Sequence, residues 1–363
     1  MGAYSEEQGE RFHQDIMNFE RRYQGQYNEN MMGDYTWGLI HESYLQQDDA
    51  KIVSENFTSV KEFILLGLTS DRRTQLFLFG VILLIYLLTI LGNLLIIILV
   101  QTDIQLHTPM YYFLSNLAGI EIGYVTSSLP QMLGQLLTGN GVISLARCVI
   151  QSYIALTMGS TECLLLGVMA YDRYIAICHP LTYASSMDRM HQQLLAASCW
   201  TIGCLFSVVY VTFIFHHPFC GPNHINHFIC ELPVVLKLAC DDTTITEAVV
   251  FGLSAFIVLV PLLVILSSYG LILYSILDMT STTGWHKAFF TCGSHLMVVT
   301  LFYGTVISMY IIPHADTGQD RDKQIAVFYV VVTPLLNPII YTLRNKEVHK
   351  AALKILVDFG FLA

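Results

Sequence analysis

The chain has 363 residues, of which 54% are apolar and 13% charged, and a formal net charge of −10; its mean hydropathy is +0.53. A soluble domain carries roughly 25% charged residues, so the composition excludes an ordinary soluble protein and assigns most of the chain to lipid. The acidity is concentrated in the N-terminal segment, where Glu6, Glu7, Glu10, Asp15, Glu20, Asp34, Glu42, Asp48, Asp49 and Glu55 outnumber Arg11, Arg21, Arg22 and Lys51. No Lys/Arg cluster there reads as a nucleic-acid footprint. Residues 1–56 are rich in Gln, Glu, Asn and Tyr, show no apolar periodicity and are predicted to be disordered. They also lack an apolar core flanked by basic residues, so no signal peptide is predicted.

Seven apolar stretches follow, at about 78–100, 110–133, 148–177, 194–215, 248–277, 288–312 and 325–343. Each is long enough for a helix across a hydrocarbon core, which takes roughly 20 residues. Backbone groups in lipid need internal partners, so the predicted fold is all-α, a bundle of seven transmembrane helices. Residues 57–345 form this membrane domain, and 346–363 a short amphipathic tail. Arg344, Lys346, Lys350 and Lys354 favour a cytoplasmic C-terminus, whereas Arg72 and Arg73 before the first span pull the other way. The sequon Asn56-Phe57-Thr58 would place the N-terminus on the lumenal side.

Nine cysteines form no Cys-x-x-Cys pair. Cys163, Cys178, Cys199, Cys204 and Cys292 fall within or at the ends of the apolar runs and read as packed thiols. Cys148, which opens the third run, and Cys220, Cys230 and Cys240, which lie between runs, read as disulfide cysteines on an oxidising face; three pairings are open. His216, His217, His224 and His227 share the long loop 216–247 with three of these cysteines. Thiolate ligands would compete with disulfides and the spacing is not finger-like, so no metal or other cofactor is predicted.

Met169-Ala170-Tyr171-Asp172-Arg173-Tyr174-Ile175-Ala176-Ile177-Cys178-His179-Pro180-Leu181 is the most specific stretch. It is one of several ordered motifs: Phe57-Thr58 followed by Glu62-Phe63-Ile64-Leu65-Leu66-Gly67-Leu68; Gly92-Asn93; Leu106-His107-Thr108-Pro109-Met110-Tyr111-Tyr112-Phe113-Leu114-Ser115; Ser268-Tyr269; Lys287-Ala288-Phe289-Phe290-Thr291-Cys292-Gly293-Ser294-His295-Leu296; and Pro334-Leu335-Leu336-Asn337-Pro338-Ile339-Ile340-Tyr341-Thr342-Leu343-Arg344-Asn345. From about Asn56 to the end the chain resembles the olfactory receptors of the tetrapod-type class, a branch of the rhodopsin-like G-protein-coupled receptors. Residues 1–55 depart from that pattern, since the family's tail usually begins a few residues before the sequon.

The resemblance implies an extracellular N-terminus, a glycan on Asn56 and the disulfides Cys148–Cys230 and Cys220–Cys240. It implies that Asp172, Arg173 and Tyr174 form the G-protein-facing latch, with the Tyr269 and Tyr341 hydroxyls holding Arg173 extended once it is released. Asn337 and Pro338 belong to the same activation region, and Lys287 lies at the inner end of a sixth helix that swings outward. Asn93, Glu121 and Glu162 form a polar cluster that either shares a proton or holds an ion.

A ligand wall is predicted from Ala155, Leu156, Gly159 and Ser160, which lie on one face of the third helix. Leu253 and Ile257, Tyr303, Val306, Ile307 and Tyr310, and Val327 and Val330 complete it by family position. This lining is apolar, with Ser160, Tyr303 and Tyr310 as its polar handles. The predicted ligand is a small, uncharged, volatile and mostly hydrophobic odorant, the predicted partner a stimulatory olfactory-type G protein that raises cyclic AMP, and the predicted location the plasma membrane, in the cilia of olfactory sensory neurons. An ion- or proton-coupled transporter is the rival reading, favoured by Glu121 and Glu162 but not by the absence of internal repeats. No Gly-Lys dipeptide, His-Glu-x-x-His or legible Ser/His/Asp set supports an enzyme.

Overall fold

A computed structural model describes residues 60–220, 223–277, 282–310, 319–344, 348, 350 and 351, without the side chains of 282–291, 310, 319–322 and 342–344. The readings made for the tail 1–56, for Asn56 and for most of 346–363 lie outside these residues. Strand β1 (Glu62–Leu65) comes first. Helices α1 (Arg72–Thr102), α2 (Pro109–Thr138) and α3 (Leu145–Cys178) follow. Then come α4 (Arg189–Phe215), α5 (Thr244–Leu277) and α6 (Thr282–Tyr310). Helix α7 runs from Gln319–Val327 through a π-helical turn, Phe328–Val332, into Thr333–Arg344.

Local chemistry sets where the helices begin. The Asp71 carboxylate accepts from the Thr74 amide at 2.9 Å, the Asp188 carboxylate from the His191 amide at 2.8 Å, and the Ser144 hydroxyl from the Arg147 amide at 3.3 Å. These side chains satisfy amides that the first turn leaves without partners. Helix α2 opens on Pro109 and stops at Gly139, whose φ of 75° closes the helix in the left-handed region.

Within the bundle, hydroxyls turn back on their own helices. Thr89 donates to the Ile85 carbonyl at 2.8 Å, Thr161 to Thr157 at 2.7 Å and Ser207 to Gly203 at 2.8 Å. In an apolar setting this spares the cost of an unpaired polar group. Leu84, Leu91, Phe251, Phe256, Leu263 and Leu266 remain exposed on α1 and α5. Such apolar outer faces suit lipid and not water. Among the described residues, six helices are long and apolar enough to cross a membrane; α2 is as long, at 30 residues, but carries Asn116, Glu121, Ser127, Ser128, Gln131 and Gln135.

Helix α3 is the hub, touching α2, α4, α5 and α6. Close approach is permitted by small residues. A Cβ on Gly92 of α1 would stand 3.3 Å from the Pro338 ring of α7, so a glycine there lets the two helices meet. The Trp200 indole of α4 donates to the Asn116 side-chain oxygen of α2 at 3.2 Å.

A feature absent from the all-α expectation lies where α3 begins. Strand β2 (Val142–Ser144) pairs antiparallel with β1, Phe63 opposite Ile143, and β3 (His224–Ile225) pairs parallel with β1 on its other edge, Ile64 opposite His224. The alternation of Glu62-Phe63-Ile64-Leu65 explains it, because Phe63 and Leu65 are buried at 0% and 2% exposure while Glu62 faces out. Phe63, Leu65, Ile143, Ile225 and Phe219 form one apolar cluster with Tyr210 and Ile214 of α4.

Candidate functional site

The long loop between α4 and α5 is folded down onto the bundle. Cys148, near the start of α3, is bonded to Cys230, with Cα atoms 5.6 Å apart; Cys220 is bonded to Cys240, with Cα atoms 5.7 Å apart. Two polar contacts tighten the first tie. The Cys230 amide donates to the Gln151 side-chain oxygen at 3.0 Å, and the Ser152 hydroxyl donates to the Cys230 carbonyl at 3.0 Å. Elsewhere in the loop, His217 bridges Asp241 at 2.8 Å and the Thr246 hydroxyl at 2.7 Å. His227 is buried, and its Nδ1 accepts from the Ile229 amide at 3.2 Å. Burial, reinforced by the Lys323 ammonium, pushes its imidazole down to about 3. No group of three or more metal-ligating side chains occurs among the described residues.

Beneath this loop lies a cavity of about 110 Å³. An apolar cavity of ~150 Å³ is enough to take up benzene, so the space suits a small molecule and is too small for a peptide. Gln151, Ser152, Ala155, Leu156, Gly159, Ser160, Glu162 and Cys163 line it from α3, and Tyr124 and Ser128 from α2. Phe206 and Tyr210 come from α4, Ser254, Ile257 and Val258 from α5, Phe302 and Val306 from α6, Tyr329 from α7, and Ile229, Cys230, Glu231 and Leu232 from the loop.

The face expected on α3 is thus in the lining, with Ile257 and Val306. Other expected members are not. On α5 the wall is Ser254, Ile257 and Val258 in place of Leu253, and on α6 it is Phe302 and Val306 in place of Tyr303 and Ile307. Both faces are turned by one residue, because helices apolar on every side carry little periodicity to fix their rotation. Tyr303 instead donates its hydroxyl to the Cys163 carbonyl at 3.0 Å, tying α6 to α3. On α7, Val330 is fully buried in a cluster with Ile82, Tyr124 and Val125, and Val327 packs against that cluster. The π turn breaks the regular i, i+3 register and brings Tyr329 to the cavity. The Tyr310 side chain lies outside the described residues. The lining is also more polar than expected: Glu162 and Glu231 both reach it, whereas no Lys or Arg does among the described residues.

Deeper in the bundle, Asn337 of α7 donates to the Glu121 carboxyl of α2. Glu162 neighbours this pair, and its Oε1 has no hydrogen-bond partner among the described residues. Asn93 stands beside the cluster without joining it, donating to the Thr89 carbonyl at 3.0 Å and to the Pro334 carbonyl at 3.4 Å. Its donation to Pro334 satisfies an α7 carbonyl next to the Pro338 break. Because Glu162 also lines the cavity, the polar cluster and the cavity are contiguous.

At the other end of α3, Asp172 is buried at 1% exposure, and Tyr183, in the helical turn Tyr183–Ser186, donates its hydroxyl to the carboxylate at 2.9 Å. Burial and the nearby Asp172 push the Tyr183 phenol upward. Among the described residues no carboxylate lies within ion-pair distance of Arg173. Tyr174 bonds His179 at 3.0 Å. The Tyr269 hydroxyl bonds His295 Nδ1 at 2.7 Å, and the buried Tyr341 hydroxyl has no partner among the described residues. Neither tyrosine therefore holds Arg173 here, although both are its electrostatic neighbours. His295 was not singled out from sequence; its place in the Lys287–Leu296 motif was the available signal.

A bundle of membrane-length helices, with a small-molecule cavity under a disulfide-tied loop at one end and the buried Asp172 beside a part-buried Arg173 at the other, defines a heptahelical membrane receptor. The family model for olfactory receptors matches residues 82–359. The chain is 48% identical over 302 residues to olfactory receptor 2A12 of Homo sapiens, spanning 83% of this chain and 97% of that receptor. It is 49% identical over 299 residues to olfactory receptor 2D2 of Homo sapiens, with 82% and 96% covered, and 48% identical over 303 residues to olfactory receptor 2C1 of Mus musculus, with 84% and 97% covered. The chain belongs to the olfactory receptor family. It is therefore a seven-helix G-protein-coupled odorant receptor of the plasma membrane, with its N-terminus outside, in a family of receptors and not of enzymes.

Proposed function

We propose that the cavity beneath the Cys148–Cys230 tie is the odorant site and that its ligand is small, uncharged and mostly hydrophobic. The observation that carries this reading is the enclosure of Leu156, Ile257, Val258, Phe302 and Val306 around about 110 Å³ of space, with no basic side chain among the described lining residues. Burial of apolar ligand surface is worth roughly 25 cal/mol per Å², and a ligand carboxylate would meet Glu162 and Glu231 without a counter-charge.

Arg173 follows Ser160 by thirteen residues on the same helix, about 20 Å at ~1.5 Å per residue. Ligand and G protein thus act at opposite ends of α3. The ligand shifts the receptor only by binding one packing better than the other. In the favoured packing α6 moves outward and Arg173 meets a stimulatory, olfactory-type G protein, raising cyclic AMP in the cilia of olfactory sensory neurons. The bonds Tyr303–Cys163 and Tyr269–His295 support an inactive packing, since both tie α6 to its neighbours. The test is a cyclic-AMP assay in cells expressing the full chain with an olfactory-type G protein, screened against an odorant panel. A concentration-dependent rise that Leu156→Trp removes at unchanged surface level is the expected result; a receptor at the surface that answers no odorant would count against the reading.

A further inference from the structure

We infer that Glu231 is the specificity-determining acceptor of this cavity, selecting ligands that carry a hydroxyl head on an apolar body. The inference rests on the reading of the cavity as the odorant site, and adds to it the chemistry of the ligand's polar end.

The backbone at Glu231 is held from both sides. Before it, Cys230 is fixed by its disulfide and by its bonds to Gln151 and Ser152. After it, the amides of Val234 and Val235 donate to the Glu231 carbonyl at 3.0 and 2.9 Å. Glu231 stands at the N-cap of the short helix Leu232–Leu236, where a side chain often bonds the first-turn amides, yet its carboxyl makes no capping bond. It is instead buried at 4% exposure and lines the cavity, where its Oε2 accepts from the Tyr329 hydroxyl at 2.8 Å. A buried carboxyl is costly, so a fixed one in a ligand cavity is a strong recognition element.

A carboxylate is acceptor-only, with roughly four lone-pair sites across its two oxygens, so it can answer a ligand donor in addition to Tyr329. A hydroxyl supplies that donor. A ketone, aldehyde, ester or ether oxygen of the same size presents lone pairs to lone pairs and gains nothing. A ligand carboxylate is repelled. A primary ammonium is attracted, but it brings three donors and a tightly held hydration shell into a space walled largely by Leu, Ile, Val and Phe. The hydroxyl therefore suits both the acceptor and the walls. Glu162 is the other acid in the lining, but it sits beside the Glu121–Asn337 pair.

The experiment uses the full chain in the cyclic-AMP assay with two matched series: hexanol, hexanal, methyl pentyl ether and hexylamine; and phenylethanol, phenylacetaldehyde, methyl phenethyl ether and phenethylamine. In the series that activates, the alcohol is expected to act at a concentration roughly ten- to a hundredfold below its aldehyde and ether, the span of one hydrogen bond to a charged group. Glu231→Gln, which keeps an acceptor oxygen, should retain the order with a smaller gap; Glu231→Leu should level alcohol and aldehyde at matched surface expression. Should Glu231→Leu fail to reach the surface, Tyr329→Phe serves in its place: it takes the Tyr329 hydroxyl away from Glu231 and should change the alcohol's potency severalfold relative to the aldehyde and ether. Equal potency of alcohol and aldehyde overturns the inference, as does an amine more potent than its alcohol, a shift of all head groups together in Tyr329→Phe, or a head-group order that follows Glu162→Gln and not Glu231. Silence towards both series and a broad panel would sink the odorant-site reading with it, whereas activation without head-group order sinks the Glu231 assignment alone.

Discussion

Arg173 is the side chain proposed to meet the G protein. Its neighbour Asp172 is engaged by the Tyr183 hydroxyl, and no described carboxylate is within ion-pair distance of the guanidinium. Arg173 therefore does little to hold the bundle together. Arg173→Ala should abolish G-protein signalling while changing surface expression and odorant binding by less than about threefold, read by cyclic AMP beside flow cytometry and ligand competition. Arg173→Lys should lose most of the signal too, since an ammonium does not reproduce the planar fork of donors. His227 makes a second prediction at this scale. Its folded value of about 3 lies below the ordinary 6.5, so between those limits the unfolded chain takes up a proton that the folded chain refuses. Stability therefore falls as pH drops through 6.5, by roughly 2 kcal/mol at pH 5, and is unaffected by this group above about pH 7. Thermal melts of detergent-solubilised receptor should show a lower Tm at pH 5 than at pH 7.4, and His227→Asn should flatten the difference.

At the scale of elements, the contact between α1 and α7 depends on Gly92 facing Pro338. Pro338 removes an amide from the helix ladder, and the missing side chain at Gly92 leaves room for its ring. Gly92→Leu should force the helices apart and cost about 1–3 kcal/mol, the usual range for overpacking, seen as a lower Tm and reduced surface delivery. Gly92→Ala should be much milder, because the Cβ would meet the proline ring at 3.3 Å and a small adjustment relieves it. A second element-level device is the π turn Phe328–Val332, which brings Tyr329 to the cavity and to Glu231.

For the whole molecule, the three-stranded sheet fastens three separate stretches of chain over the end of the bundle. The Gln135 amide of α2 adds a bond to the Leu65 carbonyl at 2.7 Å, and the Gly67 amide donates to the His227 carbonyl at 3.1 Å. Two truncations should separate the sheet from the tail before it. Deleting residues 2–50 should leave odorant potency within about threefold, because that segment shows no core-forming pattern. Deleting residues 2–66 removes β1, and with it the fully buried Phe63 and Leu65. Losing buried side chains of this size costs about 3–5 kcal/mol for the Phe alone, so the longer deletion should be retained inside the cell. Surface labelling of the two truncated receptors decides it, and a silent but surface-exposed 2–50 deletion would show that the tail acts on the cavity.

The sequence by itself determined the class of fold, the membrane setting and the ordered motifs, because lipid demands long apolar helices and leaves few alternatives. It also put Ala155, Leu156, Gly159 and Ser160 on one face of α3, the helix whose polar and small residues mark an inner side, and all four line the cavity. Tertiary structure alone decided the rest of the wall. Leu253 against Ser254, and Tyr303 against Phe302, differ by a helix rotation that an evenly apolar segment does not encode. Val330 gave way to Tyr329 through a π turn that no spacing announces. Glu231 became part of the cavity only because a disulfide and two hydrogen bonds carry a distant loop onto α3. Local periodicity records which side of a segment is buried; contacts between residues far apart in sequence, such as Cys148 and Cys230, are settled by the packed whole.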